Sequence, residues 1–248
     1  MIAEKAQHTH DQVRVLQRKL YRAAKEAPQR KFGVLYDKVH RRDVLEEAWR
    51  RVRRNRGSAG VDKQTIEAVE GYGVDRLLDE LEAELREKRY RPQPVRRVYI
   101  PKPGKPGQQR GLGIPVVRDR VVQAAVKLVI EPVLEADFRE CSYGFRPKRS
   151  AHDAIEEIRT WVTWGYRQVI DADLKACFDS LSHDGVIAAV RRRITDPWIL
   201  RLIQRWLKAG ILEEGAIRSA VAGTPQGGVI SPLLANAYLH ALDVAWGE

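Results

Sequence analysis

Six prolines between residues 91 and 115 exclude a long helix from the middle of this 248-residue chain. Proline lacks a backbone N–H, and its ring clashes with the preceding turn of a helix. Two short segments between the prolines, VRRVYI (95–100) and RGLGI (110–114), can instead form strands. They are joined by a loop of glycine, proline and lysine residues. The sequence therefore predicts a β-hairpin with a cationic tip.

The segments on both sides of this hairpin show helical patterns. Apolar residues recur at three- and four-residue steps, which predicts helices at 8–27, 43–53, 75–89 and 118–138. Ser150 followed by Asp153 is a capping-box pattern, and Ser231-Pro232 is typical of the start of a further helix. Helices with a few short strands in no regular alternation indicate an α+β fold.

Positive charge is concentrated in two stretches of a chain whose formal net charge is +11. Residues 86–120 contain eleven Lys and Arg against two acidic residues, and residues 41–56 contain seven Arg against three. A surplus of this kind attracts a polyphosphate through the release of counterions. Arginine also binds phosphate with paired hydrogen bonds and stacks on bases. We therefore expect a nucleic-acid partner; a solvated basic face is the alternative for either stretch alone.

Other classes of protein are disfavoured by the rest of the sequence. Its two cysteines, Cys141 and Cys177, are too few for a disulfide framework or a cysteine-based zinc site. No stretch approaches the roughly 20 apolar residues that span a bilayer, and the polar start is unlike a signal peptide. We therefore expect no membrane partner and a cytoplasmic location.

Two carboxylates alternate in the segment RQVIDADL (167–174), which the pattern predicts to be a strand. In a strand, Asp171 and Asp173 would point to the same face. Paired carboxylates repel one another unless a cation lies between them, and such pairs hold Mg²⁺ for phosphate chemistry. The alternative is that one of them caps a strand end or pairs with an arginine, and the spacing alone leaves both interpretations open.

The stretch GTPQGG (223–228) stands shortly before the final helix. Glycine lets a backbone approach a ligand closely, and the start of a helix attracts anions. The stretch lacks the lysine of a nucleotide-triphosphate-binding loop and the glycine spacing of a dinucleotide site. By itself it indicates only a turn.

Taken together and in order, four long stretches closely resemble the reverse-transcriptase blocks of bacterial group II intron-encoded proteins. They are RRVYIPKPGKPGQQRGLGIPVVRDRVVQAAV (96–126), SYGFRPKRSAHDAI (142–155), VIDADLKACFDSLSHDGV (169–186) and GTPQGGVISPLLANAYLHALD (223–243). NRGSAGVDKQTI (55–66) resembles the block that precedes them. The resemblance implies a right-hand polymerase fold with these divisions: a variable helical leader at 1–40, an amino-terminal extension at 41–95, fingers at 96–168 and a partial palm at 169–248.

This resemblance implies an RNA-directed DNA polymerase with a maturase role in intron splicing and mobility. Its cofactor would be a pair of Mg²⁺ ions, and its partners would be RNA template, intron RNA, DNA primer and deoxynucleoside triphosphates. Asp173 matches the first metal-binding aspartate, with the Leu174 carbonyl beside it and Asp171 as a weaker ligand. Phe178 matches the aromatic residue that lies under the sugar and excludes a 2′-hydroxyl, the group that distinguishes RNA from DNA.

The remaining site residues implied by the resemblance contact the incoming nucleotide or the nucleic acid. Lys102 and Arg110 match fingers residues that close over the triphosphate. Gln226 and Gly227 belong to the block that lines the nucleotide pocket. The arginines expected at the nucleic acid are Arg96, Arg97 and Arg146, of which Arg146 would support either the fingers region or the template strand.

One departure from the family limits the expected activity. Family members continue with a strand that carries Tyr-Ala-Asp-Asp and supplies two further carboxylates, and that sequence does not occur in these 248 residues. We therefore expect a truncated reverse transcriptase that is inactive alone. The alternatives are an RNA-binding module without polymerase activity, or a CRISPR-associated or retron-type reverse transcriptase. The sequence does not indicate an oligomeric state.

Overall fold

The computed structural model describes residues 2–213, 215–218, 223–224 and 227–246. The helices, in chain order, are α1 Ile2–Glu26, α2 Tyr36–Val39, α3 Arg42–Arg54, α4 Ile66–Tyr72, α5 Val74–Arg86, α6 Val117–Glu135, α7 Ala151–Thr163, α8 Cys177–Ser180, α9 His183–Arg191, α10 Pro197–Lys208 and α11 Ser231–Trp246. The strands are β1 Val95–Pro101, β2 Gln109–Ile114, β3 Ile211–Glu213 and β4 Ala216–Arg218. Each helix predicted from apolar spacing is present, and α1 begins earlier than expected.

The predicted hairpin is confirmed. β1 and β2 pair antiparallel, with Arg96 opposite Ile114 and Ile100 opposite Arg110. β3 joins the other edge of β1 in parallel, and β4 pairs antiparallel with β3. The strand order is therefore β2-β1-β3-β4, with the hairpin at one edge of a small sheet.

Helix α6 is the centre of the hydrophobic core. Its side chains are buried along most of its length, and Pro132 lies within the helix without ending it. Both α1 and α3 pack against α6, and Val13, Leu20 and Leu45 are buried with it. Helices α1, α3 and α6 therefore share one hydrophobic core. No helix within the described ranges is long and apolar enough to span a membrane.

Asp196 links the start of α10 to the amino-terminal part of the chain. Its side chain caps α10, accepting a hydrogen bond from the Trp198 N–H at 2.9 Å. The same carboxylate accepts the N–H groups of Leu35 and Tyr36, each at 2.8 Å. One buried acid thus satisfies donors at the starts of two helices that are far apart in sequence.

The prediction of a strand at 167–174 is wrong. Residues 166–174 have no strand pairing, and Val169 and Ile170 are 81% and 79% exposed. A strand exists only where a neighbour pairs with its backbone groups. The strands within the described ranges pair with one another in the sheet around β1, and none of them pairs with this segment. The alternating sequence pattern is therefore present, but no strand within the described ranges pairs with it.

Candidate nucleotide-binding site

The hairpin places both residues expected at the triphosphate on one face. Ile100 lies opposite Arg110, and Lys102 follows Ile100 by two positions. The pairing continues beyond β1, because the Lys102 N–H donates to the Gln108 carbonyl at 2.9 Å. Side chains alternate along a strand, and cross-strand partners share a face. Lys102 and Arg110 therefore form an exposed cationic face.

Gly227 brings the glycine turn against the hairpin. Its φ is +120°, in a region that favours glycine. A Cβ at this position would lie 2.7 Å from the Gly113 carbonyl oxygen and 3.6 Å from Leu112 Cδ2. Leu112 is two residues from Arg110, so its side chain is on the cationic face. Any larger residue at 227 would separate the turn from that face.

The start of the same turn is hydrogen-bonded to the segment that follows Asp173. The Thr224 N–H donates to the Phe178 carbonyl at 2.7 Å, and the Gly223 N–H donates to the Leu181 carbonyl at 2.8 Å. Gly223 has a φ of +89°, and a Cβ there would lie 2.8 Å from the Asp179 carbonyl oxygen. The glycine turn therefore contacts both the hairpin and the 178–181 segment.

Phe178 lies beside this junction. Its side chain is half-buried and packs against the hydrophobic core. The ring of Phe145 meets it edge-on, with the ring centroids 6.3 Å apart. Phe145 belongs to the SYGF block, whose Gly144 carbonyl accepts a hydrogen bond from Asn236 of α11 at 2.8 Å. The structure thus gathers the four stretches that carry the resemblance around one junction.

Asp171, Asp173 and Leu174 are in the exposed segment before α8. Within the described ranges, no group of three or more His, Cys, Asp and Glu side chains could hold a metal ion. Mg²⁺ demands octahedral oxygen coordination, and a two-ion site needs more carboxylates than this pair. The residues present fit part of a magnesium site only. Gln226 lies outside the described residues.

Two of the three arginines expected at nucleic acid are engaged within the protein. The Arg96 Nε and Nη2 atoms donate to the Ala59 carbonyl at 3.0 and 2.7 Å. Arg146 is 8% exposed, and its Nε and Nη2 atoms donate to Glu135 at 3.0 and 2.7 Å. This enclosure favours support of the neighbouring segment over contact with the template strand for Arg146. Arg97 is half-buried and lies on the face of the hairpin opposite Lys102 and Arg110.

Sequence reasoning missed two residues that hold the glycine turn in place. His183 Nε2 donates to the Gly223 carbonyl at 2.8 Å, and Gln123 Oε1 accepts the Val229 N–H at 2.9 Å. His183 follows a helix cap, and Gln123 lies within α6, so neither has a distinguishing local pattern. Their roles follow from contacts between residues 40 and 106 positions apart.

The profile of a known family matches residues 100–247, and its description is "Reverse transcriptase (RNA-dependent DNA polymerase)". The match covers more than half of the chain, and it includes β2 with the loop that precedes it, the Asp173 segment and the glycine turn. The chain therefore belongs to the reverse transcriptase family, and the expected α+β reverse-transcriptase fold is confirmed.

Relatives within this family place the chain more narrowly. The Lactococcus lactis group II intron-encoded protein LtrA is 37% identical over 214 residues, which are 86% of this chain and 35% of that protein. The Escherichia coli K12 protein YkfC is 40% identical over 237 residues, 92% of this chain and 61% of that protein. The resemblance to group II intron-encoded proteins is thus confirmed. The chain spans about a third to three fifths of the length of these relatives.

A solved structure shows the same fold. A chain of a partial Cas6-RT-Cas1–Cas2 complex matches with a TM-score of 0.54 and 24% identity, covering 85% of this chain and 34% of its own length. At this identity the likeness concerns the fold alone.

Proposed function

We propose that these residues form the fingers and part of the palm of an RNA-directed DNA polymerase of the group II intron type, with a maturase role. The observation that carries the proposal is the double contact of the glycine turn. Gly227 lies against the hairpin, and Gly223 and Thr224 lie against the 178–181 segment. This arrangement supports a nucleotide pocket bounded by the cationic face, the turn and Phe178.

Each proposed role follows from the chemistry of its residue. Lys102 and Arg110 bind the triphosphate and offset negative charge as pyrophosphate leaves. Phe178 lies under the sugar and leaves no room for a 2′-hydroxyl. Gln226 and Gly227 line the pocket on the side of the template base. Asp173, assisted by Asp171 and the Leu174 carbonyl, provides some of the oxygen ligands for Mg²⁺, which in this family promotes phosphoryl transfer.

The nucleotide site is tested by titrating the chain with dUTP in the presence of Mg²⁺ and measuring affinity calorimetrically. A charge-assisted hydrogen bond contributes about 1.5–3 kcal/mol, and about 1.4 kcal/mol corresponds to tenfold in affinity. Lys102→Ala and Arg110→Ala should therefore each weaken dUTP binding by about 10- to 100-fold. Phe178→Ala should reduce the preference for dUTP over UTP, which differ only at the 2′ position.

Arg97→Ala is the matched control for this titration. It removes the same charge as Arg110→Ala from the same hairpin, but from the opposite face. We expect its dUTP affinity to stay within about twofold of the unchanged chain, because Arg97 lies on the face of the hairpin opposite Lys102 and Arg110 and would make no hydrogen bond to the triphosphate. Equal losses for Arg97→Ala and Arg110→Ala would show that only net charge matters, and the proposed pocket would then be wrong.

A second function, RNA binding without polymerisation, is favoured by two observations. The described residues do not bring three metal-binding side chains together, and Tyr-Ala-Asp-Asp does not occur in the 248 residues. We propose accordingly that these residues alone bind RNA but do not extend a primer. Primer extension on an RNA template measures this directly, and incorporation of nucleotides by these 248 residues would contradict it.

A further inference from the structure

Phe145 is a bulky apolar residue that the fold holds at the surface in an unfavourable backbone conformation. Its side chain is 68% exposed. Its φ is +57°, in the left-handed region that bulky side chains rarely adopt. Such a conformation persists only where the surrounding structure imposes it, and it is most frequent at binding and catalytic sites. The contacts of Phe145 therefore need a functional explanation.

The loop that carries Phe145, residues 139–146, is fixed on both sides of that residue. On one side, Arg146 Nη1 donates to two backbone carbonyls earlier in the loop, at 2.5 and 2.7 Å. On the other side, the Gly144 carbonyl accepts a hydrogen bond from Asn236 Nδ2 of α11 at 2.8 Å. The backbone at Phe145 is thus held in place from both directions, and its ring stays where the loop puts it.

The loop places Phe145 against Phe178. The two rings meet edge to face, with their centroids 6.3 Å apart and their planes at 82°. This geometry is attractive, because the positive edge of one ring meets the negative face of the other. Phe178 also packs against the hydrophobic core, to which Phe145 does not belong. The ring of Phe178 therefore has two separate supports, the core and Phe145.

The helix that carries Phe178 is too short to fix this ring by itself. α8 has four residues, Cys177–Ser180, and it follows Ala176, whose φ of +50° is also left-handed. A helix of one turn is not stable alone. Its backbone is held by the hydrogen bond from the Thr224 N–H to the Phe178 carbonyl. The rotamer of the Phe178 side chain therefore depends on its neighbours, the core and Phe145.

We infer that Phe145 is a positioning residue for Phe178 and through it sets the preference for a deoxyribose over a ribose. A site that discriminates by shape needs a wall whose rotamer is locked by packing, to within about 0.5 Å. A ribonucleotide can enter only if the Phe178 ring moves and gives up its contact with Phe145. The free energy of that contact is then added to the discrimination. The place of the sugar rests on the proposed function; the support of Phe178 by Phe145 does not.

The inference is tested by the ratio of the dUTP and UTP affinities, measured by calorimetric titration with Mg²⁺. An edge-to-face aromatic pair corresponds to about 2- to 12-fold in an equilibrium constant. Phe145→Ala should therefore lower the ratio by about 2- to 12-fold through tighter UTP binding, with the dUTP affinity kept within about twofold. A misfolded variant would lose affinity for both nucleotides, so it cannot imitate this result. An unchanged ratio would overturn the inference.

Two other substitutions of Phe145 separate the effect of the ring from that of the backbone. Phe145→Tyr keeps the aromatic ring and should keep the ratio within about twofold of the unchanged chain. Phe145→Gly removes the ring but tolerates the positive φ, and it should lower the ratio as much as Phe145→Ala does. If Phe145→Gly kept the full preference, the ratio would depend on the backbone of the loop, and the ring would have no positioning role.

Trp164→Ala is the matched control for the loss of an exposed aromatic ring. The Trp164 side chain is 67% exposed, and its ring meets Trp161 edge to face with the centroids 5.2 Å apart. We expect the affinity ratio of this variant to equal that of the unchanged chain. Equal losses in Trp164→Ala and Phe145→Ala would show that truncating any exposed ring has this effect, and they would contradict a specific role for Phe145.

A double-mutant cycle tests whether Phe145 acts through Phe178. In a Phe178→Ala chain there is no ring for Phe145 to hold, so the addition of Phe145→Ala should leave the affinity ratio unchanged. If the two losses multiply instead, Phe145 acts on the nucleotide by another route and is not a positioning residue.

The ring contact itself is measured without nucleotide, by NMR of the chain with isotope-labelled phenylalanine. The chain has four phenylalanines, so the Phe178 signals can be assigned as those that Phe178→Ala removes. Phe145→Ala should shift them, because a neighbouring aromatic ring changes the local magnetic field, and Trp164→Ala should not. Unshifted Phe178 signals would overturn the inference even in a chain that binds dUTP. Shifted signals in a chain that does not bind dUTP would reject the proposed function and retain the support of Phe178 by Phe145.

Discussion

Replacing Asp119 by asparagine should remove the part of the pH dependence of the unfolding free energy that comes from this one carboxyl group. Asp119 is 1% exposed. It accepts a hydrogen bond from the Tyr90 hydroxyl at 2.6 Å and from the Gln93 N–H at 2.8 Å. These contacts fix the segment that enters β1. Burial nevertheless dominates and raises the pKa of Asp119 to about 6.

The size of the effect follows from the two pKa values. The unfolded chain has the ordinary aspartate pKa of about 3.9, and each unit of difference is about 1.4 kcal/mol. A folded pKa above the unfolded one means that folding binds a proton. The stabilising contribution of Asp119 to the free energy of unfolding is therefore fully present below a pH of about 4. It is lost, by about 3 kcal/mol in total, as the pH rises to about 6 and beyond.

The assay is urea unfolding followed by tryptophan fluorescence at several pH values between about 4 and 7. Glu131 and Asp137 also have pKa values raised by burial, but they titrate in both proteins and cancel in the comparison. Asp119→Asn also loses an acceptor at every pH, which shifts its curve by a constant. The difference in unfolding free energy between the two proteins should change by about 3 kcal/mol over this range; a flat difference would refute the reasoning.

Three further predictions concern contacts within the fold. Asp196→Ala should lower the free energy of unfolding by about 2–4 kcal/mol in a urea titration, because buried N–H groups at two helix starts lose their acceptor; a loss below about 0.5 kcal/mol, as at a surface site, would contradict the shared cap. Arg146→Ala should cost about 3–5 kcal/mol by breaking a buried ion pair, while the salt slope of RNA binding stays unchanged; a reduced slope would restore Arg146 as a nucleic-acid contact. Gly223→Ala should cost about 2–5 kcal/mol from positive φ and the clash with Asp179, and unchanged stability would show that the turn does not lie against the 178–181 segment.

The parts of the fold that the sequence predicts are those governed by local rules. The hairpin follows from prolines that exclude a helix, and the confirmed pairing begins and ends within a residue or two of the expected strands. The start of α7 follows from Ser150 and Asp153, which form the expected capping box. Such signals need no information about distant residues.

The incorrect prediction of a strand at 167–174 shows the limit of local sequence rules. Alternation specifies which side chains share a face, but pairing depends on a neighbouring strand that the pattern does not contain. Two arginines also show that exposure depends on residues distant in the sequence. Arg110 and Arg146 look alike in sequence, yet one is exposed and the other is enclosed by Glu135. Gln123 and His183 were not foreseen, because their partners are distant in the chain.

The most direct test of the account is hydrogen exchange at the glycine turn, measured with and without dUTP and Mg²⁺. The N–H groups of Gly223 and Thr224 are bonded to the Leu181 and Phe178 carbonyls, so they should exchange slowly in the free chain. Addition of dUTP and Mg²⁺ should slow exchange in β2 and in residues 177–181 together. Rapid exchange at Gly223 and Thr224, or protection by dUTP in only one of the two segments, would contradict a shared nucleotide pocket.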